Sequence, residues 1–298
     1  MAVLTFDPVW LAALQKRASQ PPETPRAALY AGGRQIGSFL PHLFDDLPAW
    51  VNLNKQDELL KLAQIQAANG AAGWQVQGDL TRSINQIAAA LRDAPAGHVA
   101  HGFVAKYWRG EQLGIYAPSG DLLGSIERGG VRPLGIATRA VHLVGYAPDR
   151  RVWVQQRALD KANDPGQWDT LMGGMIPVED DLHAALARET WEEAGLHIAQ
   201  LHDVALRGRV SIHKPTHHAG AAPGVGYVVE DIDWFTCTVP TGVTPVNQDG
   251  EVAKFELLEI GELRERLQQD AFTLEASMIL VAALSPAESP DSTMAEPS

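Results

Sequence analysis

Residues 173–196 read GGMIPVEDDLHAALARETWEEAGL, and no other stretch restricts the fold as strongly. A glycine pair and a proline turn lead into helical spacing from about 180 to 194. Asp180 and Asp181 stand where an N-cap and first turn take negative charge. Leu182, Ala185 and Leu186 form the apolar stripe, and Gly195 takes the place of a terminating C′ glycine. The last turns are acidic. Glu189, Glu192 and Glu193 recur at i, i+3 and i+4, so their carboxylates share one face. They lie toward the negative end of the helix dipole. Like charges four residues apart cost about 0.2–0.5 kcal/mol in an isolated helix. Arg188 offsets part of this by pairing with Glu192. A divalent cation converts the remainder into a hard-oxygen site of the kind Mg²⁺ prefers.

The chain has 298 residues, enough for one large domain or two ordinary ones. Its net charge of −12 argues against nonspecific nucleic-acid binding and an anionic membrane surface, but not against a small anionic substrate. Cys237 is the only cysteine, which excludes internal disulfides and makes a reducing cytoplasm the simplest compartment. The first residues read as a short helix rather than a signal peptide, and no apolar run reaches the length of a membrane span.

Asp7-Pro8 opens a first helix. Residues 27–30 and 35–40 read as strands around Gly32-Gly33. Helices are expected over 54–68 and 79–92, and a hairpin from 104–108 and 112–116 around Arg109-Gly110. From about 131 the pattern changes. Strands are expected over 138–146, 152–156, 203–212, 226–238 and 255–260, and helices over 262–268 and 274–284. The Pro-, Ser- and acid-rich tail from 285 reads as disordered. The expectation is an α/β (α+β) protein: a small N-terminal α+β unit over 1–130, then a mixed sheet between helices over 131–284.

The spacing of Gly174, Arg188-Glu189, Glu192-Glu193 and Gly195-Leu196 resembles the Nudix box, a MutT-like signature. Asp180 stands where that pattern has its first Glu, and Thr190 where it more often has an aliphatic. Glu179 could substitute for Asp180 if the loop shifts by one residue. Trp108 to Glu111, Ile126 to Arg128, Leu134 to Ile136 and Val141 to Tyr146 resemble a Nudix subgroup with an N-terminal extension, related by name to thiamin pyrophosphokinase. Gln156-Arg157, Lys161, Pro165-Gly166, Asp169, Asp249 to Val252 and Phe255 fit the same subgroup.

The resemblance implies hydrolysis of a diphosphate linkage in a nucleoside diphosphate derivative or a thiamin-diphosphate-like compound. Mg²⁺, with Mn²⁺ as a substitute, would neutralise phosphoryl oxygens and acidify water. Glu192 and Glu193 are then the principal metal ligands, with Glu189 as ligand or general base and the Gly174 carbonyl completing the shell. Arg188 orients a carboxylate. Arg157 and Lys161 are candidates for phosphate contact, although such residues are more often plain solvent-facing charges. Glu251 is a further ligand, the base, or an ordinary loop acid. The N-terminal unit helps form the pocket or a homodimer interface. A non-catalytic ligand-binding module on the same fold is the competing class, and isopentenyl-diphosphate-type isomerase chemistry, which uses a catalytic cysteine, ranks lower. His213, His217 and His218 read as a substrate-side loop rather than a metal cluster. His142 reads as a satisfied core histidine, Trp168 and Trp191 as packing residues, and Cys237 as an inert buried thiol.

Overall fold

A computed structural model describes residues 5–44, 62–66, 72–216 and 222–285 of the chain. Helix α1 (Pro8–Ala18) starts at Asp7, whose carboxylate accepts from the N–H groups of Val9 and Trp10. Strands β1 (Ala27–Ala31) and β2 (Arg34–Phe39) pair antiparallel across the glycine turn, as the sequence suggests. They continue into β4 (Ala72–Val76), which runs parallel to β1, and then β3 (Leu62–Gln66). The expected helix over 54–68 is therefore a strand over 62–66; the rest of it lies outside the described residues. Its apolar spacing is short, and pairing with β4 rather than local periodicity decides its state.

Helix α2 (Leu80–Arg92) is capped by Asp79. A second correction follows it. Residues expected as the first arm of a hairpin form a short helix, α3 (Phe103–Tyr107). Strand β5 (Gln112–Tyr116) pairs instead with β6 (Leu122–Glu127), and α4 (Arg128–Val131) follows. The turn that reverses the chain is Pro118-Ser119-Gly120, where Gly120 has φ 89° and Ser119 Oγ donates to Asp121 at 2.6 Å. Leu29, Phe39, Leu43, Ile84, Leu91, Ile115 and Ile126 bury one core among these elements.

The second sheet is mixed. In spatial order it holds β11 (His202–Thr216), β12 (Gly226–Thr238), β7 (Thr138–Tyr146), β8 (Val152–Arg157) and β13 (Val252–Leu258). The pairing of β12 with β7 is parallel and the others are antiparallel. Short β9 (Trp168–Asp169) adds to β8 and β10 (Met172–Met175) to β7, so the glycine pair lies in extended backbone. Alternation sorts side chains onto two faces. Ala140, Val144, Ile232 and Trp234 pack with α6 (Ile260–Gln268), α7 (Leu274–Leu284) and α1. Val141, Leu143, Phe235 and Cys237 pack with α5 (Leu182–Ala194). The sheet is thus sandwiched between helices. Among the described residues no helix is long and apolar enough to cross a membrane. The tail from 286, read as disordered, and His217 and His218 lie outside the described residues, while His213, read with them as a loop, stands in β11 because its backbone pairs with Val229 of β12.

Two polar devices brace the N-terminal elements, and the first ties them to the segment entering β12. Arg26 donates to the carbonyls of Ser38, Pro133, Gly224 and Val225. Glu127 is 2% exposed and accepts from the N–H groups of Arg109 (2.7 Å), Gly110 (3.1 Å) and Gly129 (2.6 Å). It binds the turn after α3 to the start of α4. Replacing Glu127 with Ala removes the acceptor of three backbone donors, of which Gly129 N–H is buried. We expect Glu127→Ala to lower unfolding free energy by about 2 kcal/mol, measured by urea denaturation; a loss under about 0.5 kcal/mol would refute this bracing role.

Candidate active site

Helix α5 begins at Leu182, two residues after the first acid of the box. Asp181 is the N-cap, accepting from His183 N at 2.9 Å and Ala184 N at 2.8 Å, and Gly195 ends the helix at φ 63°. Asp180 is thereby free to face inward. Its Oδ2 accepts from Arg188 Nε at 2.8 Å, so the shorter acid still reaches the arginine and no loop shift toward Glu179 is needed. Arg188 Nη1 also donates to Glu192 Oε2 at 2.9 Å and stands 3.0 Å from Glu189 Oε1.

The three glutamates occupy different environments. Glu192 is the most exposed. Glu189 lies against β10: a Cβ built on Gly174 would come within 2.2 Å of its carboxyl carbon. Glycine is required there because the carboxylate fills the space a methyl group would take. Glu193 is 2% exposed and accepts from Gln155 Nε2 at 2.8 Å and from Gly173 N at 3.0 Å. Burial, aided by the neighbouring Glu189 charge, pushes the Glu193 carboxyl up to about 8. Burial likewise pushes Glu189 up to about 7, although Arg188 opposes it. Arg188 itself is held above its ordinary value: burial opposes its charge, but Asp180, Glu189 and Glu192 outweigh it.

A hard cation fits this chemistry. The donors are carboxylates and a carbonyl, two of the carboxylates are buried with too little countercharge, and Gln155 Oε1 is a buried acceptor without a donor. Among the described residues no three Asp, Glu, His or Cys side chains are gathered at metal-binding spacing. Arg188 holds Glu189 and Glu192, so a cation would compete with its guanidinium for them.

Arg157, Gly174, Arg188, Glu189, Glu192, Glu193, Lys161 and Glu251 all line one cavity of about 680 Å³. Glu251 sits on a loop shaped by Asn247 and Asp249 and pairs with Lys161. Burial alone would raise its carboxyl, but Lys161 holds it below the usual range. Arg157 is turned toward Asp169 at 3.3 Å and the Asn163 carbonyl. His142 lies beneath Gly173, with Nδ1 2.9 Å from Thr170 Oγ1, and burial lowers its pKa toward neutral imidazole. Trp191 stacks on His197 with ring centroids 4.4 Å apart, and Trp168 is buried beside Arg266. Motif reading does not find Gln155, Arg132, Lys214, Glu230 or Glu275, which also face the cavity or its carboxylates. The available signal was a polar residue interrupting an apolar strand, as Gln155 does in VWVQQ.

Residues 137–277 match the family described as NUDIX domain. The chain is 24% identical to Nudix hydrolase 24, a chloroplastic protein of Arabidopsis thaliana, over 53% of this chain and 42% of that protein. It is 26% identical to the chloroplastic Nudix hydrolase 20 of the same plant, over 50% and 38%. It is 31% identical to an isopentenyl-diphosphate Delta-isomerase of Streptomyces coelicolor, over 57% of this chain and 82% of that protein. The chain spans 38–54% of the length of the first four curated relatives it matches.

The buried acids make stability pH-dependent in a defined direction. The folded chain keeps protons up to about 7 and 8 that the unfolded chain releases near 4.5. Ionisation across that window therefore favours unfolding. In chelator, the melting temperature should fall between about pH 5 and 8. Glu193→Gln should be flatter by roughly 5 °C across the window. Thermal melts at a series of pH values check this, and an equal slope in the variant would contradict it.

Proposed function

The chain belongs to the Nudix hydrolase family, and from that premise we propose that it hydrolyses the diphosphate linkage of a small organic diphosphate with a divalent cation. The observation that carries this reading is the under-compensated pair of carboxylates, buried Glu193 and largely buried Glu189, set against Gly173 and Gly174 in a polar cavity. Glu189, Glu192, Glu193 and the Gly174 carbonyl would hold Mg²⁺, or Mn²⁺ in its place, with Glu251 as a further ligand or the base. When bound, such a cation neutralises phosphoryl oxygens and acidifies water.

The chain's own groups have separable tasks. Arg188 bridges Asp180 and Glu192 and so aims the acidic face. Glu189, with its carboxyl lifted to about 7, is suited to take a proton from an attacking water near neutral pH. Arg157 and Lys161 line the same cavity and are candidates for phosphate contact, each meeting a carboxylate there, Asp169 and Glu251. We take 1–130 as an N-terminal unit and 131–284 as the hydrolase unit, with Tyr107, Glu111 and Arg128 of the former lining the cavity. That placement favours a pocket role for the unit over a homodimer role. The substrate is a nucleoside diphosphate derivative or a thiamin-diphosphate-like compound, and a cytoplasmic setting suits the lone thiol.

The isomerase relative raises a second reading, but Cys237 argues against a cysteine-dependent version. It lies in β12, 2% exposed, and burial pushes its thiol up to about 12, so it stays protonated. A non-catalytic binding module is disfavoured by the complete Arg188, Glu189, Glu192 and Glu193 set.

The test is release of phosphate or monophosphate from a panel of organic diphosphates, with and without Mg²⁺. Wild type should turn over at least one compound only with metal. Glu192→Gln should lose on the order of 100-fold or more, the scale of a lost transition-state charge contact, while Cys237→Ala should be unchanged. A silent panel would favour the binding module, and full activity in Glu192→Gln would remove the ligand assignment.

A further inference from the structure

The cations assigned to phosphate from the sequence already have partners. Arg157 faces Asp169 and Lys161 pairs with Glu251; Arg188, read as orienting a carboxylate, serves three of them. A phosphate reaching them must displace a carboxylate. Arg132 differs. It lines the same cavity half-buried, and among the described residues no carboxylate pairs with it. Its Nη1 donates to the neutral amide oxygen of Asn163 at 3.2 Å, and its guanidinium carbon stands 5.2 Å from the centroid of the Tyr107 ring. Glu230 feels its charge, but that carboxylate accepts from Thr138 Oγ1 at 3.1 Å instead.

The position of Arg132 is held from both sides. Its carbonyl accepts from Tyr227 N at 2.9 Å and Gly135 N at 3.1 Å, which fixes the backbone against β12. The segment leading into it is α4, pinned through Glu127 to the turn that follows Tyr107. The ring contact and the amide bond restrict the side chain, so its fork of donors is pre-set toward the cavity. A half-desolvated guanidinium whose side-chain partners, Asn163 and Tyr107, are neutral retains most of its capacity for a planar, charge-assisted contact.

We propose that Arg132, which precedes the family-matched residues 137–277, binds a phosphate group of the substrate. The inference rests on the diphosphate reading above. It gives the N-terminal unit a direct part in recognition, because Tyr107 and the Glu127-braced turn hold the arginine in place.

Inorganic pyrophosphate is the probe, titrated by calorimetry in chelator so that metal and turnover play no part. Wild type should bind, and Arg132→Gln should bind at least tenfold more weakly, with a melting temperature within a few degrees of wild type. Arg132→Lys keeps the charge and the stem but loses the fork, and should bind at least threefold more weakly; it decides the matter if the glutamine variant folds poorly. With any compound turned over in the panel, Arg132→Gln should raise KM far more than it lowers kcat. Wild-type affinity in these variants, or no binding of pyrophosphate by wild type, overturns the proposal. A silent panel alongside weakened pyrophosphate binding would remove the hydrolase reading and leave the arginine contact standing.

Discussion

Burying carboxylates on the last turns of α5 is the constraint on which the rest of the site depends. Three glutamates share one helix face near the negative end of the dipole, and Arg188 cannot neutralise them all. The neighbouring strands are shaped around this problem. Strand β8 offers the Gln155 amide, β10 offers the Gly173 N–H, and Gly174 leaves room for the Glu189 carboxylate. A side chain at either glycine would collide with Glu189 or with the His142 ring. Close approach of helix to sheet and concentrated negative charge are therefore one feature, and both are what a cation-dependent phosphate chemistry requires.

The same logic of buried polar groups joins the two halves of the molecule. Arg26 crosses from β1 and β2 to the carbonyls of Pro133, Gly224 and Val225, and burial lowers its pKa to about 10. Val178 N donates to the Gln112 carbonyl at 2.8 Å, so the box loop is hydrogen-bonded to β5. With Glu127 holding the α3 turn, the N-terminal elements form a wall of the cavity rather than an outlying attachment.

Elements with strong local instructions were legible in the chain. The Asp-Pro start of α1, the capped stripe of α2, the apolar runs of β7 and β12 and the box helix are set by residues adjacent in sequence. The failures came where local preference was weak. Residues 62–66 carry apolar spacing that suits a helix, but β4 gives their backbone a partner. Residues 103–107 close as a helical turn because β5 finds β6, not the preceding segment, across the turn at 118–120.

The sequence by itself determined the acidic face, its arginine and its bounding glycines, because helical spacing places those groups together whatever surrounds them. Only the tertiary structure decided which charges remain available. Arg157, Lys161 and Arg132 look alike in the sequence, yet Asp169 and Glu251 engage the first two while Arg132 meets an amide and the Tyr107 side chain and, among the described residues, pairs with no carboxylate. The reason is physical: a charge is offset by whatever lies within a few ångströms, and those neighbours come from segments far apart in the chain.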